Sequence, residues 1–529
     1  MHIDVIDTFK RFAELRGDWD AVYEADPEAN YFLSWPWLSD WLSRFRTVWF
    51  VLACKRDESD ADYVAFLPLR MRTHFDKAHG FYNEIIFAGD AFADYTGFLT
   101  RPEFEAEAAV AFADYLKRRF NWAKLTMENL RLSDQRRRLF LGNFDAIRFF
   151  QKSIEYFDKG GGVNHSICPS ATLPTNWDEY LSGLSSNNRQ KIRRLLRKVE
   201  TSEDYRITVA DAATFDRDIR TLLKLWKIKW APQKKGRDID GMVDRNHAML
   251  MGCAERGALF LPVFWRGDRP VAALATMVDA AKKAFLFVIA GRDESFDEMP
   301  AGYLLHAYSI RHAIDRGFVT YDFLRGNEPY KYHFASQERR LKACSVLTKT
   351  RRNLGGKLDP RGREAMFEMT LELERKGEIA DAGRAYGQIL EMAPDDALAL
   401  YRFGRLKAKT GAYDEARQYL SRSVQIEPRG DNAWLWLARS LHALGDHAAA
   451  LDAYRRVVRL QPANEEARKL ILRLGPLCER ANPKTGPIRA AEASPLPPPG
   501  FLRAKAAADW RLRRAPGPGL MIPGEGAGA

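Results

Sequence analysis

Cysteine is scarce in this chain. Five in 529 residues, Cys54, Cys168, Cys253, Cys344 and Cys478, are odd in number, far apart and without a CxxC pair. That spacing excludes a disulfide framework and a zinc knuckle and fits a reducing compartment. No run of about 18 uncharged apolar residues is present to cross a bilayer. The N-terminal MHIDVIDTFKRF places acids where a signal peptide needs an unbroken apolar core. The expected location is therefore cytoplasmic, with no membrane span. A GxGxxG fingerprint is also missing, and no Gly-Lys-Ser/Thr follows Lys159-Gly160-Gly161-Gly162, which reads as a flexible connection rather than a phosphate loop. His306 and His312 stand six apart in one predicted helix and cannot share a metal on one face, and His333 has no partner at ligand spacing, so no metal is expected.

Apolar residues make up 46% of the chain and aromatics 12%, enough for several globular cores. The net charge of +12 is uneven, with much of it between Arg189 and Lys198 and in the C-terminal tail. In the stretch RQKIRRLLRKVE, Ile192, Leu195, Leu196 and Val199 fall on one helical face, and Arg189, Lys191, Arg193, Arg194, Arg197 and Lys198 cover the rest. Such a helix is either a solvated surface or an attractor of anionic substrate or phosphate. Its charge density also admits nucleic acid, of which tRNA is the one kind expected as a partner.

The N-terminal third reads as an α/β unit. Ser34 can cap a helix with Pro36 in its first turn, and the aromatics around Trp35, Trp37 and Trp41 read as core. Trp49 to Cys54 and Tyr63 to Arg70 form a predicted strand pair. Ile85-Ile86-Phe87 continues the sheet towards Asp94-Tyr95-Thr96-Gly97-Phe98-Leu99, a helix from about Glu103 to Phe120 covers it, and Trp122 to Met127 adds a strand. Further on, Tyr205 to Val209 is a predicted strand, and Leu259 to Trp265, Val271 to Val278 and Ala284 to Ala290 read as three antiparallel strands.

Groups able to do chemistry crowd into Pro300 to Phe334. Leu304, Leu305, Tyr308, Ile310 and Ala313 mark a helix, Pro300 and Gly302 stand at its mouth, and Gly317 is placed for a left-handed C-cap. A short strand, Phe318 to Tyr321, then delivers Asp322 and the polar turn Arg325-Gly326-Asn327-Glu328. A small-residue loop opening a helix presents free N–H groups and a positive dipole end. Pro300, Ala301, Gly302 and Tyr303 therefore form either a pyrophosphate seat or a plain capping loop. Asp322 and Glu328 are candidate bases, and Tyr330 and Lys331 candidate acids or phosphate ligands. Each has a structural alternative: Asp322 capping the turn, Glu328 pairing with Arg325 or Lys331, and Tyr330 filling the core.

The order of elements, with FLSWPWL, DYTGFL, LSSNNRQKIRRLLRKVE, PAGYLLHAYSI and YDFLRGNEPYKYHF, resembles the CelD-like (BcsL-type) acetyltransferases of the GNAT superfamily over about residues 25 to 350. That family is distantly similar to the FemAB aminoacyl transferases. The resemblance implies a tandem GNAT-like α/β (α+β) fold, with an N-terminal half at 1–165 and a donor-binding half at 166–355. It implies acetyl-CoA as acyl donor, with its pyrophosphate on Pro300 to Tyr303. Arg189, Arg193, Arg194 and Arg325 would bind substrate, and the acceptor would be an amine or hydroxyl on a sugar of a cell-surface polysaccharide pathway. The basic or Gln-led Gly-x-Gly/Ala phosphate motif of the superfamily is not present in full. Aminoacyl transfer from charged tRNA is the enzymatic alternative, and a non-catalytic scaffold the other.

Beyond Arg351 the texture becomes Ala-, Glu- and Arg-rich helix. Gly377, Gly411 and Gly445, then Ala382, Ala416 and Ala450, then Pro394, Pro428 and Pro462, each recur at a spacing of 34. This resembles tetratricopeptide repeats, an all-α solenoid. Three repeats with a capping helix at Glu465 to Leu474 fill 363–475, and their groove implies a protein or peptide partner. The Pro-, Ala- and Arg-rich tail, 476–529, is expected to be disordered.

Overall fold

The computed structural model describes residues 1–45, 47–154, 162–230 and 238–481. Lys159, Gly160 and Gly161 of the triple-glycine segment and most of the predicted disordered tail lie outside the described residues.

Two sheets of the same plan lie side by side in sequence. The first has the order His2–Ile6, Val48–Lys55, Ala65–Asp76, Gly80–Phe87, Lys124–Leu130, Lys342–Thr348, Phe149–Ser153, with Leu99–Thr100 beside Ala65–Asp76. Its neighbours are antiparallel except Gly80–Phe87 and Lys124–Leu130, which run parallel from Glu84↔Lys124 to Ile86↔Thr126. Parallel neighbours need a crossover, and the helix Glu105–Arg119 lies between them in sequence. The second sheet has the order Gln337–Arg340, Ile167–Thr172, Thr320–Asp322, Ala284–Arg292, Arg269–Asp279, Pro262–Arg266, Tyr205–Val209. It too has one parallel pair, Ala284–Arg292 with Thr320–Asp322, and one crossover helix, Ala301–Asp315. This is a tandem GNAT-like α/β arrangement.

Two sequence expectations shift. The strand Lys342–Thr348, at the end of the expected second half, belongs to the first sheet. Val346 pairs with Leu125 and is fully buried there, so the core of the first sheet claims it. The segment 94–99 does not form a long strand. It makes one bridge, Thr96↔Leu130, and then Leu99–Thr100, because Tyr95 is drawn towards the second sheet.

The two sheets share a core. Trp19, Phe32, Trp37 and Trp41 pack in one cluster with Leu222, Val263, Ala273 and Met277. Phe12 stacks on Trp35 at 4.4 Å and Trp19 on Phe66 at 4.5 Å. Ser34 caps the helix Trp35–Arg44 as its sequence signals, accepting from the Trp37 N–H. Arg136 is buried between Asp26, at 2.8 and 2.9 Å, and Glu105, at 2.9 Å.

The C-terminal helices form three antiparallel pairs, Arg363–Arg375 with Ile379–Met392, Ala397–Lys409 with Tyr413–Ile426, and Asp431–Ala443 with His447–Leu460, followed by Glu465–Ala481. Gly377, Gly411 and Gly445 turn each pair at φ of +75°, +81° and +80°, where a side chain would be strained. At Gly404 a Cβ would stand 2.6 Å from Leu420 Cγ, so close helix contact needs glycine there. The solenoid is clamped to the first sheet. Phe75 and Phe81 pack with Met366, Tyr386 and Ile389, and the Gln388 side chain accepts from the Phe81 N–H at 2.7 Å. Among the described helices none is long and apolar enough to cross a membrane.

Candidate active site

The parallel pair of the second sheet stays in register only to Leu286↔Asp322. Ala284–Arg292 then runs on, still paired with Arg269–Asp279 as far as Ala272↔Arg292, while the chain after Asp322 turns away. The two strands therefore part at their C-terminal ends, the edge at which ligands sit in sheets with parallel strands. The crossover helix Ala301–Asp315 begins at that edge. Pro300 gives its first turn no side-chain cap, and a Cβ added at Gly302 would meet nothing within 4 Å. Open N–H groups and the positive dipole end are the features that favour an anion at a helix start.

The basic helix Ser186–Glu200 lies alongside and points the same way. Near its start the Lys191 ammonium sits 4.4 Å from the centre of the Tyr303 ring, and near its end Glu200 pairs with Arg311 at 2.7 Å. Two positive helix ends and one ammonium thus converge on the loop. Tyr303 packs on Phe334 at 4.6 Å, and its hydroxyl is buried without a hydrogen-bond partner. Burial pushes that phenol up to about 12.

The polar turn is built around a lysine. Lys331 has no exposed surface, pairs with Glu328 at 2.9 Å, and donates to the Arg325 and Gly326 carbonyls at 2.8 and 3.0 Å. Gly326 is at φ +102°, and a Cβ there would fall 2.6 Å from the Glu328 carboxylate. Leu324 is at φ +56°, held by its N–H bond to Asp322 at 2.8 Å. Left-handed non-glycine backbone of this kind persists only where its surroundings fix it. The rest of the segment is the 3-10 helix Pro329–His333.

These contacts reassign several predicted residues. Lys331 uses its three donors inside the protein and is out of reach of a donor phosphate. Arg325 is buried and donates from Nε to the His165 carbonyl at 3.0 Å, so it shapes the turn and presents no exposed cation to a substrate. Asp322 accepts the Tyr95 hydroxyl at 2.8 and 2.9 Å and the Leu324 N–H, its predicted capping alternative. Tyr330 is partly buried beside His306, ring centres 5.7 Å apart, and burial raises its phenol well above the ordinary value. His306 bonds the Tyr321 hydroxyl at 3.0 Å and is held neutral, burial pulling it down to about 3.

Pro300 to Tyr303, the turn from Asp322 to Lys331 and the first turns of the basic helix are therefore brought together. Arg193 and Arg194 are not. They are exposed and line an open groove with Gln190, Arg197, Lys198 and Thr201, where Arg193 reaches Asp178 at 3.3 Å. Arg189 bonds the Ser182 carbonyl at 3.3 Å. Lys191 is the cation of that helix at the loop. Among the described residues no cluster of three or more His, Cys, Asp or Glu could hold a metal.

Sequence reasoning missed the contribution of the first half. Tyr95 reaches Asp322, the Arg131 guanidinium lies 5.0 Å from the Tyr95 ring, and the Arg325 backbone N–H bonds the Asp94 carboxylate. Asp94 is 2% exposed. Burial raises its carboxyl to about 7, with Asp322 adding to the shift and Arg325 and Lys331 opposing it. The first half's own parallel pair has no comparable seat. Thr96 bridges Leu130, and its crossover helix opens on Glu105 and Glu107, which repel an anion where the second half has Ala301 and Gly302.

An acetyltransferase (GNAT) domain matches residues 186–332, from the basic helix through the turn, and tetratricopeptide repeats match 373–429 and 409–474. Two curated proteins are similar in sequence. One is the protein CTR9 homolog of Arabidopsis thaliana, 34% identical over 113 residues, which are 21% of this chain and 10% of that protein. The other is the BBSome complex member bbs-4 of Caenorhabditis elegans, 21% identical over 168 residues, 31% of this chain and 36% of that protein. The chain thus spans a tenth and about a third of the curated relatives it matches. Among solved structures, FemX is 13% identical with a TM-score of 0.45, covering 65% of this chain and 97% of its own. A conserved protein of unknown function from Bacteroides thetaiotaomicron is 13% identical with a TM-score of 0.41, covering 66% and 100%. The chain carries a GNAT-type acetyltransferase domain followed by tetratricopeptide repeats.

Proposed function

We propose that this chain is an acyl-CoA-dependent acyltransferase of the CelD-like (BcsL-type) group. It transfers an acetyl group from acetyl-CoA to an amine or hydroxyl, on a sugar of a cell-surface polysaccharide pathway, in the cytoplasm. The observation that carries the reading is the uncapped helix start at Ala301-Gly302 beside the parting parallel strands, inside the matched acetyltransferase region. Pro300 to Tyr303 would hold the donor pyrophosphate, with Lys191 as its cation. The donor supplies a thioester carbonyl, which an acceptor attacks as the sulfur leaves. Tyr330, whose ring lies beside His306 of the crossover helix, would be the proton donor, while Asp322, Glu328 and Lys331 hold the turn in shape. The repeats bind a protein or peptide partner.

One observation favours a second reading. The exposed groove of Arg193, Arg194, Arg197 and Lys198 suits a polyanion, which fits aminoacyl transfer from tRNA.

Calorimetric titration of the full chain with acetyl-CoA, CoA and deacylated tRNA separates the readings. The expected result is micromolar CoA binding that Gly302→Glu weakens at least about tenfold, since the new carboxylate enters the seat without a clash in the fold. Salt-sensitive tRNA binding with silence towards CoA would move the assignment to aminoacyl transfer. Silence towards both would leave a scaffold.

A further inference from the structure

Among the carboxylates at the seam of the two halves, Asp94 carries a buried oxygen with no hydrogen-bond partner. Asp322 holds the Tyr95 hydroxyl and the Leu324 N–H, and Glu328 holds the Lys331 ammonium. Asp94 takes the Arg325 backbone N–H, yet its Oδ2 is buried with no hydrogen-bond partner. A buried polar atom left unbonded costs about 1–3 kcal/mol, and folds keep such atoms mainly where they do something.

The surroundings explain how Asp94 can hold a proton. Arg325 and Lys331 face it from the turn, Asp322 from the strand Thr320–Asp322, and Cys168 from the strand Ile167–Thr172. With Glu328 on Lys331, three carboxylates and the cations Arg325 and Lys331 share a buried space, while Arg339 acts on Asp322 and Arg131 on Tyr95 from its edge. Burial penalises the charged form, so Asp94 binds a proton more readily than a solvated acid would. Asp94, 2% exposed and unbonded at Oδ2, is the place for that proton. Its neighbour Tyr95 bonds Asp322, whose register partner Leu286 marks the point where the parallel strands part.

We propose that Asp94 is the base that takes the acceptor's proton during acyl transfer. The inference rests on the acyltransferase reading above. The proton passes from the acceptor N–H or O–H to Asp94 Oδ2, and the acceptor heteroatom bonds the acyl carbon. The C–S bond breaks, the sulfur leaves with the electron pair and takes the Tyr330 proton, and Asp94 then releases its proton to solvent, from which Tyr330 is reprotonated. A base that is half ionised near the working pH is best matched to this step.

Three measurements on the full chain test it: acetyl-CoA binding by calorimetry, thiol release from acetyl-CoA with glucosamine as acceptor, and the infrared carboxyl band of protein labelled at aspartate. The expected result is a protonated-carboxyl band that titrates near neutral pH and is missing from Asp94→Asn. That variant should bind acetyl-CoA within about threefold of the native protein, yet release thiol at least about 100-fold more slowly. It should also lose the rise of rate with pH expected of the native protein. Native rates in Asp94→Asn with donor binding intact overturn this inference alone. Failure of the native protein to bind acetyl-CoA overturns the donor reading and this inference together. Should Asp94→Asn not fold, the native protein still decides, because absence of any buried carboxyl titrating near neutral pH refutes the assignment.

Discussion

Lys331→Met should open the polar turn without unfolding the sheet beneath it. The substitution keeps the length and apolar stem of the side chain but removes an ammonium that has no exposed surface and binds Glu328, the Arg325 carbonyl and the Gly326 carbonyl. Glu328 is 2% exposed, so its carboxylate would be left charged and enclosed. Removing one partner of a buried pair costs about 3–5 kcal/mol, several times the worth of an exposed pair. Since each 1.36 kcal/mol is tenfold in an opening equilibrium, amide exchange in the turn should accelerate about 100-fold to several thousandfold. Hydrogen exchange read by mass spectrometry over 318–336 reports this directly. The Gly326 N–H, bonded to the Ile167 carbonyl at 2.8 Å, and the Phe334 N–H, bonded to the Lys331 carbonyl at 3.1 Å, are the sensitive probes. Lys331→Met with Glu328→Leu should recover much of the loss, because no charge is then stranded. If Lys331→Met exchanges within threefold of the native protein across the turn, the lysine is not what holds it.

Other consequences can be measured in the same way. His306 is held down to about 3 from 6.5, so the unfolded chain binds its proton first. The stability due to neutral His306 is complete above about pH 6.5 and drains away as pH falls towards 3, by about 1.4 kcal/mol per pH unit at most. Denaturant titrations of native protein and His306→Leu should therefore converge as the pH is lowered, and parallel curves would refute the assignment. Gly326→Ala combines a left-handed backbone with a methyl 2.6 Å from the Glu328 carboxylate, and should lower the melting temperature through a loss of about 1–3 kcal/mol. An unchanged melting temperature would show that the turn relaxes freely.

What could be read in the sequence was what is local. The helix Ala301–Asp315 declares itself by its apolar spacing and by Gly317, which is at φ +74°. The repeats declare themselves by glycine, alanine and proline in a fixed period, because each repeat folds against its immediate neighbours. The seam between the halves was not legible. Tyr95 and Asp322 are 227 residues apart, and no pattern within either segment announces the other. Lys331 was read as a reactive or phosphate-binding group because lysine is seldom fully buried, and only its enclosure shows it to be a strut. The strand Lys342–Thr348 looked like the end of one half because its pairing partners, Lys124–Leu130 and Phe149–Ser153, lie about 200 residues earlier.

The clamp between the solenoid and the first sheet makes the repeats a bracket rather than a leash. Gln388, Glu378 and Arg384 reach Phe81, Lys77 and the backbone of Lys77, all on or beside the hairpin of Ala65–Asp76 and Gly80–Phe87. That hairpin is continuous with the sheet whose last strand leads back from the acyl-transfer half. Whatever the repeats grip is consequently held at a set bearing from the parted strands, and its reach is governed by its own length and shape. The bracket is fastened at the joint as well, because Asn353 and the Asp359 N–H, on either side of Lys357, both bond Asn83 of Gly80–Phe87.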